Sequence, residues 1–327
     1  MDIWRPHGIT IGADNLTSVE LGGLTNASLD LDYEINRDYV DGSPQPRNAS
    51  KRGLVESLSA TTVDVDKAID TLGSTGVCLA GTTADEGVDF FVAKYSACTV
   101  GPLAGSVHRK YSIDFSSVGD AEVVGMVIPQ NMSCDHRGDL TYSFNITAVN
   151  PDGDHSMWTE TAGVALPTGS EEIIDSQKRY SIGNVTVGGV ALTGVKSITV
   201  NFEIQTITEG ADSNMFAQYI GIEQIGATID IMGIDPTWID STGFKREGIA
   251  FTHANTGINF RQRDRTDASG FYGAATSNHI TCTSAGFAVP VTLASGSGGP
   301  AECGIRLFCE YDGTNNPLVL ATDAAQI

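Results

Sequence analysis

The stretch that decides the fold is SLDLDYEI, residues 28–35, in which polar and apolar residues alternate without interruption. Because successive side chains of a strand point to opposite faces, this alternation predicts a strand with one apolar and one acidic face. The apolar face predicts contact with a core. The acidic face holds Asp30, Asp32 and Glu34, and the mutual repulsion of these carboxylates needs an explanation.

The composition narrows the class of protein. The chain has 327 residues, 41% of them hydrophobic, and a formal net charge of −21. This length suits two domains of roughly 150 residues. So acidic a chain argues against a grip on nucleic-acid phosphates, which needs clusters of Lys and Arg. The six cysteines form no CxxC pair and are predicted to be reduced.

Targeting and membrane signals are not found in the sequence. The N-terminal MDIWRPHGITIG has no apolar core region, which predicts that there is no signal peptide. No apolar run reaches the roughly 18 residues of a membrane span. We therefore expect no association with a membrane.

The sequence repeats itself in order, which is the first feature to seek in a chain of this length. SVELGGLTNASLDLDYEI (18–35) matches GVALTGVKSITVNFEI (189–204), each with a glycine ahead of an alternating strand. Three further matches follow in the same order: 54–70 with 219–235, 108–129 with 279–293, and 148–167 with 309–327. The matches predict a tandem duplication with domains at 1–167 and 168–327.

The local patterns predict a mainly β protein. Short alternating runs of Val, Ile, Thr and Phe between Gly, Pro and Asp-Gly are typical of strands and hairpins. A single short helix is predicted at 66–72, and its counterpart at 235–240 is expected to be only a turn. The predicted fold class is two tandem antiparallel β-sandwich or barrel domains with one short helix.

Catalytic and metal-binding patterns do not emerge from the sequence. GSGG (296–299) lacks the spacing of a phosphate loop or a nucleophile elbow, and the histidines show no HxxxH or HxH spacing. RGD (137–139) is interpreted as a polar turn. The prediction is no enzyme, no metal site and no cofactor.

Two segments concentrate positive charge in this acidic chain. They are the predicted loop NRDYVDGSPQPRNASKRG (36–53) and the stretch NFRQRDRTD (259–267). One interpretation is solvated surface, and the other is contact with acidic surfaces of neighbouring copies, between subunits or between rings. The basic residues concerned are Arg47, Lys51, Arg52, Arg261, Arg263 and Arg265.

The order of motifs resembles that of the major tail tube proteins of long-tailed bacteriophages. The resemblance lies in VNPDGDHSMWTETAGVALP, KRYSIGNVTVGG, GVALTGVKSITVNFEIQTITEG and YIGIEQIGATIDI, and it covers most of residues 10–327. It implies sandwich domains that assemble into stacked rings, with six tube domains around a channel through which the genome passes. This chain departs from the single-domain pattern. The resemblance therefore implies rings of three chains, with six chains as the alternative.

The same resemblance implies partners and a location. The chain would bind other copies of itself, a tape measure protein in the lumen before DNA ejection, and tail terminator and tail tip proteins. DNA would pass through without specific binding. The protein would belong to the virion tail and assemble in the host cytoplasm.

The resemblance also implies a role for the acidic strand face, which is to line the lumen and repel DNA phosphates. The alternative is ordinary exposure to solvent. For the whole chain, the rival interpretations are another virion or cell-surface binding module of two sandwiches and, third, a carbohydrate-active enzyme. The expected lumen-lining residues are Asp30, Asp32, Glu34, Asp64, Asn201, Glu203 and Asp230.

Overall fold

A computed structural model shows a mainly β chain whose strand ladders are antiparallel. The residues that it describes are 5–13, 19–21, 23–39, 42, 44–72, 78–79, 103–111, 117–148, 150, 158–162, 178–210, 214–224, 226–235, 237–240, 251–294, 302–310 and 317–326. The predicted boundary between residues 167 and 168 lies outside the described residues.

The described residues of the first half form nine strands and one helix. They are β1 (Arg5–Ala13), β2 (Val19–Leu21), β3 (Leu24–Asp38), β4 (Asn48–Thr62), α1 (Val65–Leu72), β5 (Cys78–Leu79), β6 (Leu103–Tyr111), β7 (Ser117–Asp135), β8 (Thr141–Ala148) and β9 (Trp158–Ala162).

The described residues of the second half form ten strands and one helix. They are β10 (Tyr180–Val187), β11 (Val190–Leu192), β12 (Val195–Phe202), β13 (Gln205–Glu209), β14 (Tyr219–Gln224), β15 (Ala227–Gly233), α2 (Thr237–Asp240), β16 (Phe251–Gln262), β17 (His279–Ala294), β18 (Glu302–Cys309) and β19 (Leu318–Ala324). Neither α1 nor α2, the helices in the described part of the chain, has the length or apolarity needed to span a membrane.

Both halves pair their strands in the same order. In the first half the order is β2–β1–β6–β7–β8–β4–β3. In the second half it is β11–β10–β16–β17–β18–β15–β12. In addition, β9 pairs with β7 and β19 pairs with β17. The repetition noticed in the sequence is therefore also present in the strand pairing.

The register identifies which residues correspond. Leu58 of β4 lies opposite Ile146 of β8, and Ile229 of β15 lies opposite Leu307 of β18. Leu58 is therefore the counterpart of Ile229. The expected alignment of 54–70 with 219–235 is out of phase by several residues, whereas 18–35 and 189–204 do form corresponding strands.

The base of the long hairpin is built identically in each half. Gly23 and Gly194 have φ values of 61° and 71°, a left-handed conformation that glycine adopts without steric cost. The N–H of Val63 donates to the carbonyl of Gly23, and the N–H of Ile234 donates to that of Gly194, each at 3.1 Å. A helix follows both hairpins. The second is a single turn of helix where only a turn was expected.

Strand β12 joins the two halves into one sheet. It pairs with β15 along one edge and with β7 of the first half along the other, from Ser197 opposite Asp135 to Asn201 opposite Asn131. One buried apolar cluster includes residues of both halves. The halves are therefore joined by backbone hydrogen bonds and share a core.

Candidate functional surface

The functional candidate is a polar face that crosses the joint between the halves. On β4, β8, β7, β12 and β15, alternate residues point to the side away from the core. Their cross-strand register places Thr61, Ser143, Asn131 and Asn201 in one row. We call this set the polar face. Its half-buried members are Ser57, Ser59, Thr61, Asn131, Ser133, Thr141, Ser143, Asn145, Ser197, Thr199, Asn201 and Asp230.

Neighbouring side chains of the polar face bind one another. The hydroxyls of Thr61 and Ser143 lie 2.9 Å apart, and those of Ser133 and Thr141 lie 3.0 Å apart. The amide of Asn201 donates to Asp230 over 3.4 Å. These side chains are short, mostly neutral and hydrogen-bonded across strands. The polar face is therefore flat and uncharged over much of its area.

One ion pair lies on the polar face. Arg306 of β18 donates from Nε to Asp230 at 2.7 Å and from Nη2 at 3.1 Å. These hydrogen bonds and the charge of Asp230 raise the pKa of Arg306. The first-half counterpart of this pair is Ser59 opposite Asn145, which is uncharged. The sequence analysis missed Arg306, because a single arginine in a strand carries no signal of its cross-strand partner.

Three of the expected lumen residues lie together on this side of the second half. Asn201 and Asp230 belong to the polar face, and exposed Glu203 accepts a hydrogen bond from Thr228 at 3.0 Å. The structure thus brings these three predicted residues together, but it neutralises the charge of Asp230.

Three more expected lumen residues lie near the middle of β3. Asp30, Asp32 and Glu34 are all exposed. Asp32 and Glu34 line a groove with Arg52 and with residues 208–210 and 214–217. The acidic face of SLDLDYEI is therefore accessible to solvent in a single chain.

The prediction for Asp64 is wrong. Asp64 lies beyond the end of β4, where it immediately precedes α1 and is only 1% exposed. Its carbonyl accepts the first helical hydrogen bond, from Ala68, which is the position of an N-cap. Its counterpart is Asp235, whose carboxylate accepts from the N–H of Thr237 ahead of α2. The sequences around Asp64 and Asp230 are similar, but the two residues occupy different positions of the structural repeat.

The expected core face of SLDLDYEI is also corrected by the structure. Leu31, Tyr33 and Ile35 are exposed, as is Tyr39 immediately after β3. The reason is that β3 is an edge strand, which pairs with β4 alone among the described residues, whereas Leu54 and Glu56 on the adjacent stretch of β4 remain buried. Half of the predicted loop 36–53 belongs to these two strands, residues 36–38 to β3 and residues 48–53 to β4.

The basic residues of the first segment lie on this hairpin. Arg47, Lys51 and Arg52 are exposed. The ammonium group of Lys51 lies 4.0 Å from the centroid of the Tyr33 ring, which is a cation–π distance. These basic side chains are therefore accessible to solvent.

The basic residues of the second segment mostly serve the chain's own fold. Arg261 lies over the ring of Phe271, 4.7 Å from its centroid. Arg263 pairs with Asp139 at 3.1 Å and donates to the carbonyl of Gly138 at 3.0 Å, so the RGD sequence forms a turn that is bound from within. Arg265 is exposed.

Four cysteines of the described ranges are free thiols, namely Cys134, Cys282, Cys303 and Cys309. Burial raises the pKa of Cys134 and of Cys309 to about 12, so both stay protonated at neutral pH. Within the described ranges, no three His, Cys, Asp or Glu side chains are grouped so that they could hold a metal ion.

The chain was compared with known proteins. It matches no protein-family model and has no significant match among curated proteins.

Proposed function

We propose that the chain is a structural subunit that assembles into stacked rings forming the tail tube of a bacteriophage. The observation that carries the proposal is the polar face, which runs without interruption across the β7–β12 joint between two halves of identical strand order. A wall made of repeated units needs this kind of lateral continuation.

Repeated units joined through two different edges form a head-to-tail arrangement. Such an arrangement closes into a ring if the rotation between units divides a full turn. Each chain supplies two units, so three chains complete a ring of six, and six chains remain the alternative. In this proposal each half is a tube-type sandwich domain, and the hydrogen-bonded sheet forms the wall of the channel.

The chemistry of the polar face suits the passage of DNA. The strand segments 57–61, 131–135, 141–147, 197–201, 228–232 and 304–308 contain one basic residue, Arg306, and Asp230 binds it. Proteins hold DNA by neutralising phosphates with Lys and Arg. A wall of hydroxyls, amides and bound charge offers DNA no such contacts, and Asp30, Asp32, Glu34 and Glu203 add repulsion.

The proposal includes the partners and location that a tube requires. A tape measure protein would fill the lumen before ejection, and terminator and tip proteins would cover the two ends. Assembly would take place in the host cytoplasm, and the product would be part of the virion tail.

Negative-stain electron microscopy over a concentration series tests the proposal. We expect rings or stacked tubes with a central pore, whose number rises with protein concentration. Filter binding should show little retention of duplex DNA at physiological salt. Featureless monomers at every concentration would reject the tube and favour the rival surface module.

A further inference from the structure

We infer that β3 of one chain pairs with the C-terminal end of β17 of a second copy, in the register that β12 and β7 adopt within one chain. The inference rests on the proposed function and names the contact that builds the ring. It follows from comparing the two edges used at the internal joint with their counterparts elsewhere in the chain.

The strand edges that correspond to the two edges of the joint have no partner strand among the described residues. β12 pairs with β15 on one side and β7 on the other, whereas its counterpart β3 pairs only with β4 among the described residues. The stretch of β7 that receives β12 lies beyond β6. The matching stretch of β17, residues 289–294, extends past β16, and no described strand pairs with that edge.

The register of the matching stretches is secured by two bulges. β7 shifts register between Pro129 and Asn131, and β17 shifts between Pro290 and Thr292. Three residues after each proline lie Met132 and Leu293, which are therefore counterparts.

Burial at the β7 and β17 positions differs in the way that a missing partner predicts. Met132 is 0% exposed and lies opposite Val200 of β12. Leu293 is 53% exposed. The same strand position is therefore apolar in both halves but is covered in only one of them. An exposed apolar strand end with an open edge is a site for pairing with another strand.

Burial on the other side of the joint differs in the same sense. Phe202 at the end of β12 is 5% exposed, and its ring centroid lies 6.0 Å from that of Tyr142 in the first half. Its counterpart on β3 is Leu31, two residues beyond the Leu29–Leu58 pair, and it is 37% exposed. Among the described residues, the open edges of β3 and β17 thus lack the cover that β12 and β7 give each other.

The partner of each open edge is a second copy of this chain, because the β12–β7 joint shows that these two kinds of edge fit one another. Thr199 lies opposite Ser133, and Asn201 lies opposite Asn131. Transferring these pairs places Ser28 of one chain opposite Ala294 of the next. It likewise places Asp30 opposite Thr292.

Disulfide cross-linking of assembled protein tests this register. Two variants carry matched pairs, Ser28→Cys with Ala294→Cys and Asp30→Cys with Thr292→Cys. A third carries the mismatched pair Asp30→Cys with Ala294→Cys. Directly opposed residues lie within disulfide range, whereas diagonal neighbours lie roughly 7–8 Å apart. Four variants, each with one of these introduced cysteines, control for cross-linking through the native thiols. The mass of each assembly is measured by light scattering before oxidation.

We expect oxidation to link chains at least tenfold more efficiently in the matched pairs than in the mismatched pair. The linked species should end at the number of chains in one ring. Assemblies of normal mass in which neither matched pair cross-links, or in which the mismatched pair cross-links best, would overturn this register and leave the proposed function standing. Dimers of Ser28→Cys alone that peptide mapping shows to be linked through the two introduced thiols would place β3 beside β3 and overturn it as well. Failure of the unmodified protein to assemble would reject the proposed function itself.

Discussion

The two long hairpins of the molecule share one plan but differ in how much of them the chain covers. The second-half hairpin, β12–β15 extended by β13–β14, lies against β7 and buries Phe202. The first-half hairpin, β3–β4, leaves Leu31, Tyr33 and Ile35 exposed. The difference shows what a neighbouring strand does for this fold, since β12 has β7 along its outer edge and no described strand pairs with the outer edge of β3.

The largest expected effect comes from truncating the same position in each hairpin. Phe202→Ala should lower the free energy of unfolding by about 3–5 kcal/mol, because it leaves a cavity beside Tyr142. Leu31→Ala should change it by less than about 0.5 kcal/mol in the monomer but should raise the concentration needed for assembly. Urea unfolding of dilute protein measures the first quantity, and light scattering measures the second.

Equal losses of stability from these two substitutions would contradict the comparison. So would normal assembly of Leu31→Ala together with a stable monomer. Val65→Ala, a buried change outside both strand edges, is the control for general destabilisation.

A second expected effect concerns Lys178, which links the halves away from the hairpins. Its ammonium lies 3.0 Å from Asp66 of α1 and 2.8 Å from Asp323 of β19. Lys178→Met leaves the largely buried Asp66 without this cation. We expect a loss of about 1–3 kcal/mol, below the value for a fully buried pair because Lys178 is partly exposed to solvent.

The contribution of Lys178 should disappear at high pH. Burial alone lowers the pKa of Lys178, but hydrogen bonds to Asp323 and Asp66 and their charges raise it above the ordinary 10.5. A folded-state pKa above the unfolded value gives stability that is complete below pH 10.5 and is lost as the pH rises through the folded-state value. Urea unfolding of the native protein and Lys178→Met should converge above this pH. A constant difference up to the most alkaline pH would contradict the ion pair.

A third expected effect tests whether Asp64 acts as the N-cap of α1 rather than as a residue of the channel wall. Asp64→Ala should cost about 1–2 kcal/mol by removing the N-cap of α1, and it should leave assembly of the remaining folded protein unchanged. Unfolding by urea and light scattering on the same sample measure both. Loss of assembly without loss of stability would instead support a channel-lining role for Asp64.

The smallest expected effect comes from replacing the Asp230–Arg306 pair by the residues at the equivalent positions of the first half. Asp230→Ser with Arg306→Asn copies Ser59 and Asn145, and it should change stability by less than about 0.5 kcal/mol because the pair is partly exposed. Asp230→Ser alone leaves Arg306 without its carboxylate and should increase DNA retention in filter binding, whereas the double variant should not. Equal DNA retention by both variants would contradict the role given to the pair.

Much of the fold could be predicted from local pattern. The alternation in SLDLDYEI identified β3, and the repeated glycine-then-strand motif identified β12 as its counterpart. These signals are local, because strand period and glycine conformation are set by neighbouring residues. The exposure of the apolar side chains of β3 was not predictable, since it depends on whether another strand pairs with the outer edge of β3.

The candidate surface was less accessible from sequence. The polar face is assembled by pairing strands distant in sequence, so Asp230 and Arg306 meet only in the folded chain. Asp64 was misplaced because its sequence resembles that around Asp230. The signal that could have separated them is an aspartate directly ahead of a helical pattern, with a threonine two residues earlier whose hydroxyl accepts from the Asp64 N–H at 2.9 Å.

The central claim is that one chain leaves two complementary edges for its own copies to fill. Light scattering coupled to size separation, over a range of concentrations, tests it most directly. The account predicts a particle of three times the 34.4 kDa chain mass, or six times in the alternative ring, and multiples of it as rings stack. A single species of one chain mass at every concentration would contradict the account.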